Sequence, residues 1–379
     1  MTRAALALAL VVLAAGCGGG KPAKSAADVI PADATTVLSL PPDPEDPATR
    51  QALKLLPGGD RLQTLLDRTG WARAAGSRVQ VALFTDGGVA FLETKLDKSF
   101  ALPHVRIRGW SAFALRESLL DDVKRAKQHL DGASWFARGL RAIGPMDITA
   151  VRRDIAFGAD GGTVRRAVPG GGTDAVPLLA NVPADAVAAV GAADPAELQQ
   201  AAVPFRRALE RGVGLRLATL ADAAPGSSVL YVRPGAPVPG TTLVARGATA
   251  TKLRAVVAQL AGGPPITEPT TFDGRPATLV TLSALDLWFG AGGGTGFLTD
   301  DAAFHLDPTS ALAPSGLPAL VSSFVYLDVA AGLPALSNLA ALAGSRLSPG
   351  FRRRVAGLDT VLRYRTHTAA ATRLTVVVG

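Results

Sequence analysis

Apolar and polar positions change period along the chain, and the changes mark its elements. "RVQVALFTDGGVAFLETKL" (78–96) holds two alternating apolar runs around Thr85-Asp86-Gly87-Gly88, which predicts a β-hairpin. "HVRIRGWSAFAL" (104–115) adds one or two strands, and "MDITAVRRDIAFGADGGTVRRAV" (146–168) returns to strands. Between them lie two helical patterns. "RESLLDDVKRAKQHL" (116–130) places Leu119, Val123 and Ala126 at helical spacing, and "SWFARGLRAIG" (134–144) ends at a glycine. Nearer the start, Asp46-Pro47 opens a helix to about Leu56, and Leu62, Leu65 and Leu66 share one face of the next.

The same grammar continues after residue 178. "SSVLYVRP" (227–234) and "TTLVARG" (241–247) read as strands, and "TATKLRAVVAQLAGG" (249–263) as a helix. Residues 267–308 read as several strands joined by Asp-Gly, Gly-rich and Asp-Asp turns, with "GAGGGTGF" (290–297) as a loose hairpin loop. Strand then helix follow over 317–344, and Ser348-Pro349 starts a helix with Phe351, Val355 and Leu358 on one face. "TVLRYRTHTAAATRLTVVVG" (360–379) reads as a closing hairpin. Leu362 and Tyr364 alternate with Arg363, Arg365 and His367, and Leu374, Val376 and Val378 alternate on the return, which suits a sheet buried on one face and wet on the other.

One phrase occurs twice. "VIPADATTVLSL" (29–40) and "NVPADAVAAV" (181–190) each put a Pro-Ala-Asp turn before a short apolar run. Each is followed by Asp-Pro opening a helix, at Asp46-Pro47 and at Asp194-Pro195, where Asp194 and Glu197 form a D-x-x-E capping pair. The Gly- and Pro-rich "VPGGGTDAVP" (168–177) separates the copies. The expectation is an α+β fold of two related units, 27–170 and 178–379, each mostly antiparallel sheet with helices packed on one face.

Composition narrows the class. With 379 residues, two packed units are expected rather than one, and with 48% apolar but 5% aromatic residues the core must be built from Ala, Val and Leu. The formal net charge is +8, but the arginines are dispersed and cluster only at "FRRRV" (351–355), so the charge reads as a solvated surface and no nucleic-acid partner is expected.

The single cysteine excludes a disulfide framework and sits at an informative place. Arg3 precedes an apolar run from Ala4 to Ala15, too short for a bilayer span, which needs about 20 residues, but suited to a signal peptide. Ala14, Ala15 and Gly16 lead into Cys17, which resembles a bacterial lipobox, with Ala14 where leucine is commonest. That resemblance implies a signal peptide over 1–16, lipid attachment at Cys17, a flexible tether over 17–26, and a body held on the extracytoplasmic face of the cell membrane. A diacylglyceryl group brings two acyl chains, enough for stable anchoring. "GCGGGKPAKS" is not a P-loop, since Pro22 stands where Ser or Thr is needed.

Taken with this leader, "VIPADATTVLSL", "VPADAVAAVGA" (182–192) and "FVYLDVAAGLPAL" (324–336) before an Arg-containing hairpin resemble the bacterial domain-of-unknown-function 3352 family over roughly 27–379. The resemblance implies a secreted or membrane-anchored protein and supplies no catalytic residues.

The residues show no catalytic motif. Asp33 and Asp185, the repeated acids, read as turn residues rather than an acid–base pair. His104, His129, His305 and His367 are scattered without metal-ligand spacing, so no metal or other cofactor is expected. "DDAAFH" (300–305) reads as a hairpin turn with His305 on an exposed strand face. "GWSAF" (109–113) lacks the last glycine of G-x-S-x-G, and "GAGGGTGF" lacks dinucleotide-binding phasing. The expected function is therefore a non-enzymatic, lipid-anchored envelope protein that binds or scaffolds a ligand of unknown identity. The alternatives are a carrier of lipid or another apolar ligand, and an envelope hydrolase with an unrecognised site.

Overall fold

The computed structural model describes residues 25–41, 78–93, 95, 102–175, 177–203, 206, 210, 214–235, 238–282, 285–342, 346–369 and 371–378. Cys17, Asp46 and the helices expected over 46–66 lie outside them. The chain divides into two compact units, Met1–Gly170 with Ala370–Arg373, and Gly171–Ala369 with Leu374–Gly379. Both are antiparallel sheet with helices, an α+β architecture.

In the first unit, β1 (Thr36–Leu40), β2 (Val79–Phe84), β3 (Gly87–Leu92), β4 (His104–Ile107) and β5 (Trp110–Ala114) precede α1 (Glu117–Arg125) and α2 (Ser134–Ile143). Strands β6 (Ile148–Arg152), β7 (Ala156–Asp160) and β8 (Thr163–Pro169) follow. The order across the sheet is β4-β5-β3-β2-β1-β6-β7-β8, and every pairing is antiparallel. Only Thr85 and Asp86 connect β2 to β3, because Gly87 and Gly88 already belong to the strand. The β4–β5 connection is also two residues, Arg108 and Gly109, both at positive φ (45° and 96°), the geometry that matches the right-handed strand twist. Helices α1 and α2 bury Leu119, Leu120, Val123, Phe136 and Ile143 on one face, against Val37, Ala82, Val89, Phe91, Ala112 and Val151. On the opposite face Leu40, Val79, Ala90, Leu92, Phe113, Ile148 and Ala159 form a separate cluster.

In the second unit, β9 (Ala188–Ala192) leads into α3 (Pro195–Ala202) and α4 (Leu217–Ala223). Then come β10 (Ser228–Arg233), β11 (Gly240–Arg246), α5 (Ala250–Leu260), β12 (Glu268–Phe272), β13 (Arg275–Leu282), β14 (Leu285–Gly292) and β15 (Thr295–Thr299). Last are β16 (Ser323–Asp328), α6 (Val329–Leu342), α7 (Pro349–Val355), β17 (Thr360–His367) and β18 (Ala371–Val378). The sheet order is β17-β16-β9-β10-β11-β15-β14-β13-β12, again antiparallel throughout. Asp194 is the N-cap of α3, its carboxylate accepting from the Glu197 amide at 2.9 Å, and Pro195 is the first helical residue. Helices α3, α4 and α5 pack on one face. The other face is covered by the irregular segment 300–322, whose Phe304, Leu306, Leu312 and Val321 bury Tyr231, Phe297 and Phe324.

Several expectations are corrected here. "DDAAFH" is the start of that covering segment and not a hairpin turn, because Phe304 is drawn into the core at 2% exposure. "GAGGGTGF" is a tight two-residue turn, Gly293 and Gly294 at φ 59° and 79°. Aromatics are few but central, since Tyr231, Phe91, Phe289, Phe304 and Phe324 lead the fully buried side chains by volume. In β18 the buried positions are Ala371 and Thr375, not Leu374, Val376 and Val378. The strand also begins in the first unit, where the Arg373 guanidinium donates to the carbonyls of Arg141 (3.0 Å) and Ala142 at the C-terminus of α2.

The repeated phrase occupies one bonding pattern in each unit. In the first, Ala32 N–H donates to Gln128 O, Leu130 N–H to Ile30 O, Ala34 N–H to Pro31 O and Thr35 N–H to Leu83 O. In the second, Ala184 donates to Ser310, Leu312 to Val182, Ala186 to Pro183 and Val187 to Val232. Pro31 bridges His129, and Pro183 bridges Ala311. A short 3₁₀ turn precedes each phrase, at Ala26–Asp28 and Leu178–Asn181.

Candidate functional site

Both Pro-Ala-Asp turns are closed by backbone bonds, so the acids are released for other work. In the first unit Asp33 is exposed on the rim of a cleft of about 490 Å³. Asp86, from the β2–β3 turn, and Asp122, Arg125 and Lys127, from α1 and the residues after it, also line it, as do Phe84, Leu119 and Val123. The cleft thus presents charges of both signs together with apolar side chains.

In the second unit Asp185 is held by Arg233 at the end of β10. The Arg233 Nε and Nη2 donate to the two Asp185 oxygens at 2.9 and 2.7 Å, and Nη1 donates to Asp301 Oδ2 at 2.8 Å and Ala303 O at 3.2 Å. The Arg233 hydrogen bonds hold the Asp185 carboxyl below its ordinary range. The same bonds raise the guanidinium, opposed by its partial burial. This fork-to-carboxylate geometry orients both partners and leaves neither free as an acid or a base.

The neighbouring Asp300 behaves differently. Its carboxyl accepts from the Thr241 amide, and burial pushes its pKa from an ordinary 3.8 up to about 6, against the pull of its backbone hydrogen bonds. The folded chain therefore keeps a proton there that the unfolded chain loses between pH 3.8 and about 6, and stability falls as pH rises through that window. Asp300→Asn keeps an acceptor for Thr241 and removes the buried charge. The variant is expected to be more stable at pH 7 by up to about 2–3 kcal/mol, with the advantage gone below pH 4, measured by chemical denaturation across pH.

A third cluster centres on Glu197, which the capping pattern assigned to the amide of its own N-cap. Its carboxylate instead turns to the sheet. It accepts from Arg365 Nη1 at 3.0 and 2.9 Å and from Ser323 Oγ at 2.9 Å, with His367 Nε2 at 3.7 Å. Gln200 adds a further bond to Arg365, and the Asp174 carboxylate accepts from the His367 amide at 3.1 Å. The side chains of Arg365 and His367 are only 16% and 9% exposed, so this face of β17 is not the wet one that alternation suggested. The reason is that α3 lies over it and supplies the carboxylate. The alternation of Arg363, Arg365 and His367 was visible in the sequence, but the acid that meets Arg365 and His367 sits far upstream, at position 197.

The remaining candidates stay apart. His305 pairs with Asp273 at 2.9 Å, Asp300 with Thr241 and Asp301 with Arg233, so the "DDAAFH" residues do not converge. His104 Nδ1 lies 3.1 Å from Leu102 O, and partial burial followed by the Arg108 charge lowers His129. Ser111 is buried and accepts from Arg106 at 2.9 Å. Among the described residues there is no group of three or more His, Cys, Asp or Glu that could hold a metal, and no helix long and apolar enough to cross a membrane.

Comparison with protein-family models and with curated proteins finds no match. Among solved structures, crystal form I of TP0453 is similar at 10% identity, covering 74% of this chain and 93% of that one, with a TM-score of 0.20. Crystal form III of TP0453 is similar at 11% identity, covering 75% and 97%, with a TM-score of 0.19. At these scores nothing is carried over from TP0453.

Proposed function

We propose that this chain is a lipid-anchored protein of the extracytoplasmic face of a cell membrane, built from two related α+β units, that binds or scaffolds an envelope component without catalysing a reaction. The observation that carries the location is the run from Arg3 through the apolar Ala4–Ala15 to Ala14-Ala15-Gly16-Cys17. Its likeness to the domain-of-unknown-function 3352 family belongs to the same reading. The cleft lined by Asp33, Asp86 and Lys127 is the candidate binding surface.

The relatedness of the units is supported by more than the repeated phrase. Reading from β1, the first sheet runs β4-β5-β3-β2-β1-β6-β7, and the second runs β14-β15-β11-β10-β9-β16-β17. Strand for strand these match in chain order, with the β12–β13 hairpin as an insertion. The ion pairs of Asp185 with Arg233 and of Glu197 with Arg365 fit structural roles for these two acids.

Expression of the full chain in a bacterium, followed by fractionation, tests the location. The protein is expected in the membrane fraction after a high-salt wash, and Cys17→Ser is expected to lose that retention. Salt matters because a net charge of +8 alone gives a screened attraction to anionic lipid. Retention of Cys17→Ser, or salt release of the natural chain, refutes the anchor.

A further inference from the structure

On β17, Arg363, Arg365 and His367 follow one another at every second residue and share the face covered by helices. Arg365 and His367 meet Glu197 there. Arg363 stands directly opposite Val325 of β16, and the next same-face residue on its other side is Val361. Val361 belongs to the apolar cluster formed with Leu333 and Leu336 of α6, Val355 of α7 and Leu358. Arg363 is half-buried, and among the described residues no carboxylate pairs with it. Burial, and then the charge of Arg365, pull its guanidinium below the ordinary range. A cation taken partly out of water without a counter-charge is costly to the fold, and the residues beside it are valines and a second arginine.

We propose that Arg363 anchors an oxyanion-binding site on the helix-covered face of β17. The ligand supplies the missing negative charge through a phosphate, sulfate or carboxylate group, which suits the planar fork of a guanidinium. Glu197 does not compete for Arg363, since its oxygens are occupied by Arg365 and Ser323. In an envelope protein the group comes either free or as the headgroup of an anionic lipid, and the chemistry at Arg363 is the same.

The test compares full-length chain in sodium phosphate and in sodium chloride at equal ionic strength. Phosphate is expected to raise the melting temperature beyond the chloride value, and Arg363→Met to weaken phosphate binding roughly ten- to hundredfold, the loss of charge-assisted hydrogen bonds. Arg363→Met is further expected to melt no lower than the natural chain in chloride, because the methionine stem replaces an unpaired charge. Equal melting in phosphate and chloride overturns the site without recourse to any variant, and so does an undiminished phosphate effect in Arg363→Met. Phosphatidylglycerol vesicles distinguish the sources. Vesicle binding that inorganic phosphate displaces identifies a headgroup, and phosphate stabilisation that vesicles leave unchanged identifies a free anion.

Discussion

Arg365→Ala is expected to destabilise the second unit by about 3–5 kcal/mol, the loss found when one partner of a buried ion pair is removed. Glu197 is 9% exposed, and it would keep only Ser323 and the more distant His367 as partners. Solvent offers little relief, since the two side chains are 16% and 11% exposed. The double variant Glu197→Gln with Arg365→Met is expected to recover most of the loss, because no charge is then left uncompensated. Equilibrium unfolding in urea of the single and double variants checks both statements. A single variant within about 0.5 kcal/mol of the natural chain, the range of an ordinary surface substitution, would contradict the cluster.

The second large effect is expected at Gly191. This residue lies within β9, between Val229 of β10 and Phe324 of β16. A Cβ there would overlap Phe324 Cε1 and lie 2.6 Å from Cζ. Phe324 is 1% exposed and packs in the cluster with Tyr231, Phe304 and Tyr364, so its ring has no open side to swing into. Gly191→Ala is therefore expected to cost about 2–3 kcal/mol through overpacking. Adding Phe324→Leu should return part of that loss, a non-additive coupling seen only if the two residues meet. Thermal unfolding of the two single variants and the double variant measures the coupling, and simple additivity refutes the contact.

Much of this fold was legible in local pattern. The β2–β3 hairpin and the Asp194-Pro195 helix start follow from turn and cap chemistry confined to a few neighbouring residues. What pattern did not reveal was long-range partnership. Glu197 satisfies the capping motif by position, yet its carboxylate serves Arg365, 168 residues away. Alternation in β17 separated two faces correctly but could not say that α3 covers the basic one. Alternation in β18 misplaced the buried face, because Thr375 and Ala371 are the residues turned inward. Turn propensity at "DDAAFH" was overridden by the pull of Phe304 into the core.

The repeated Pro-Ala-Asp phrase shows the same limit from the other side. Its sequence pointed to the acids, but its conserved work within the chain is done by backbone, through Ala34 to Pro31 and Ala186 to Pro183. The acids stand in different surroundings: Asp185 holds Arg233, while Asp33 lines the cleft.

The most direct test of the proposed anchor is the mass of the N-terminal peptide from protein extracted from membranes of the expressing bacterium. The account predicts a chain that begins at Cys17 and carries a diacylglyceryl group on its sulfur. A chain that still begins at Met1, or a mature protein with an unmodified Cys17 thiol, would contradict it.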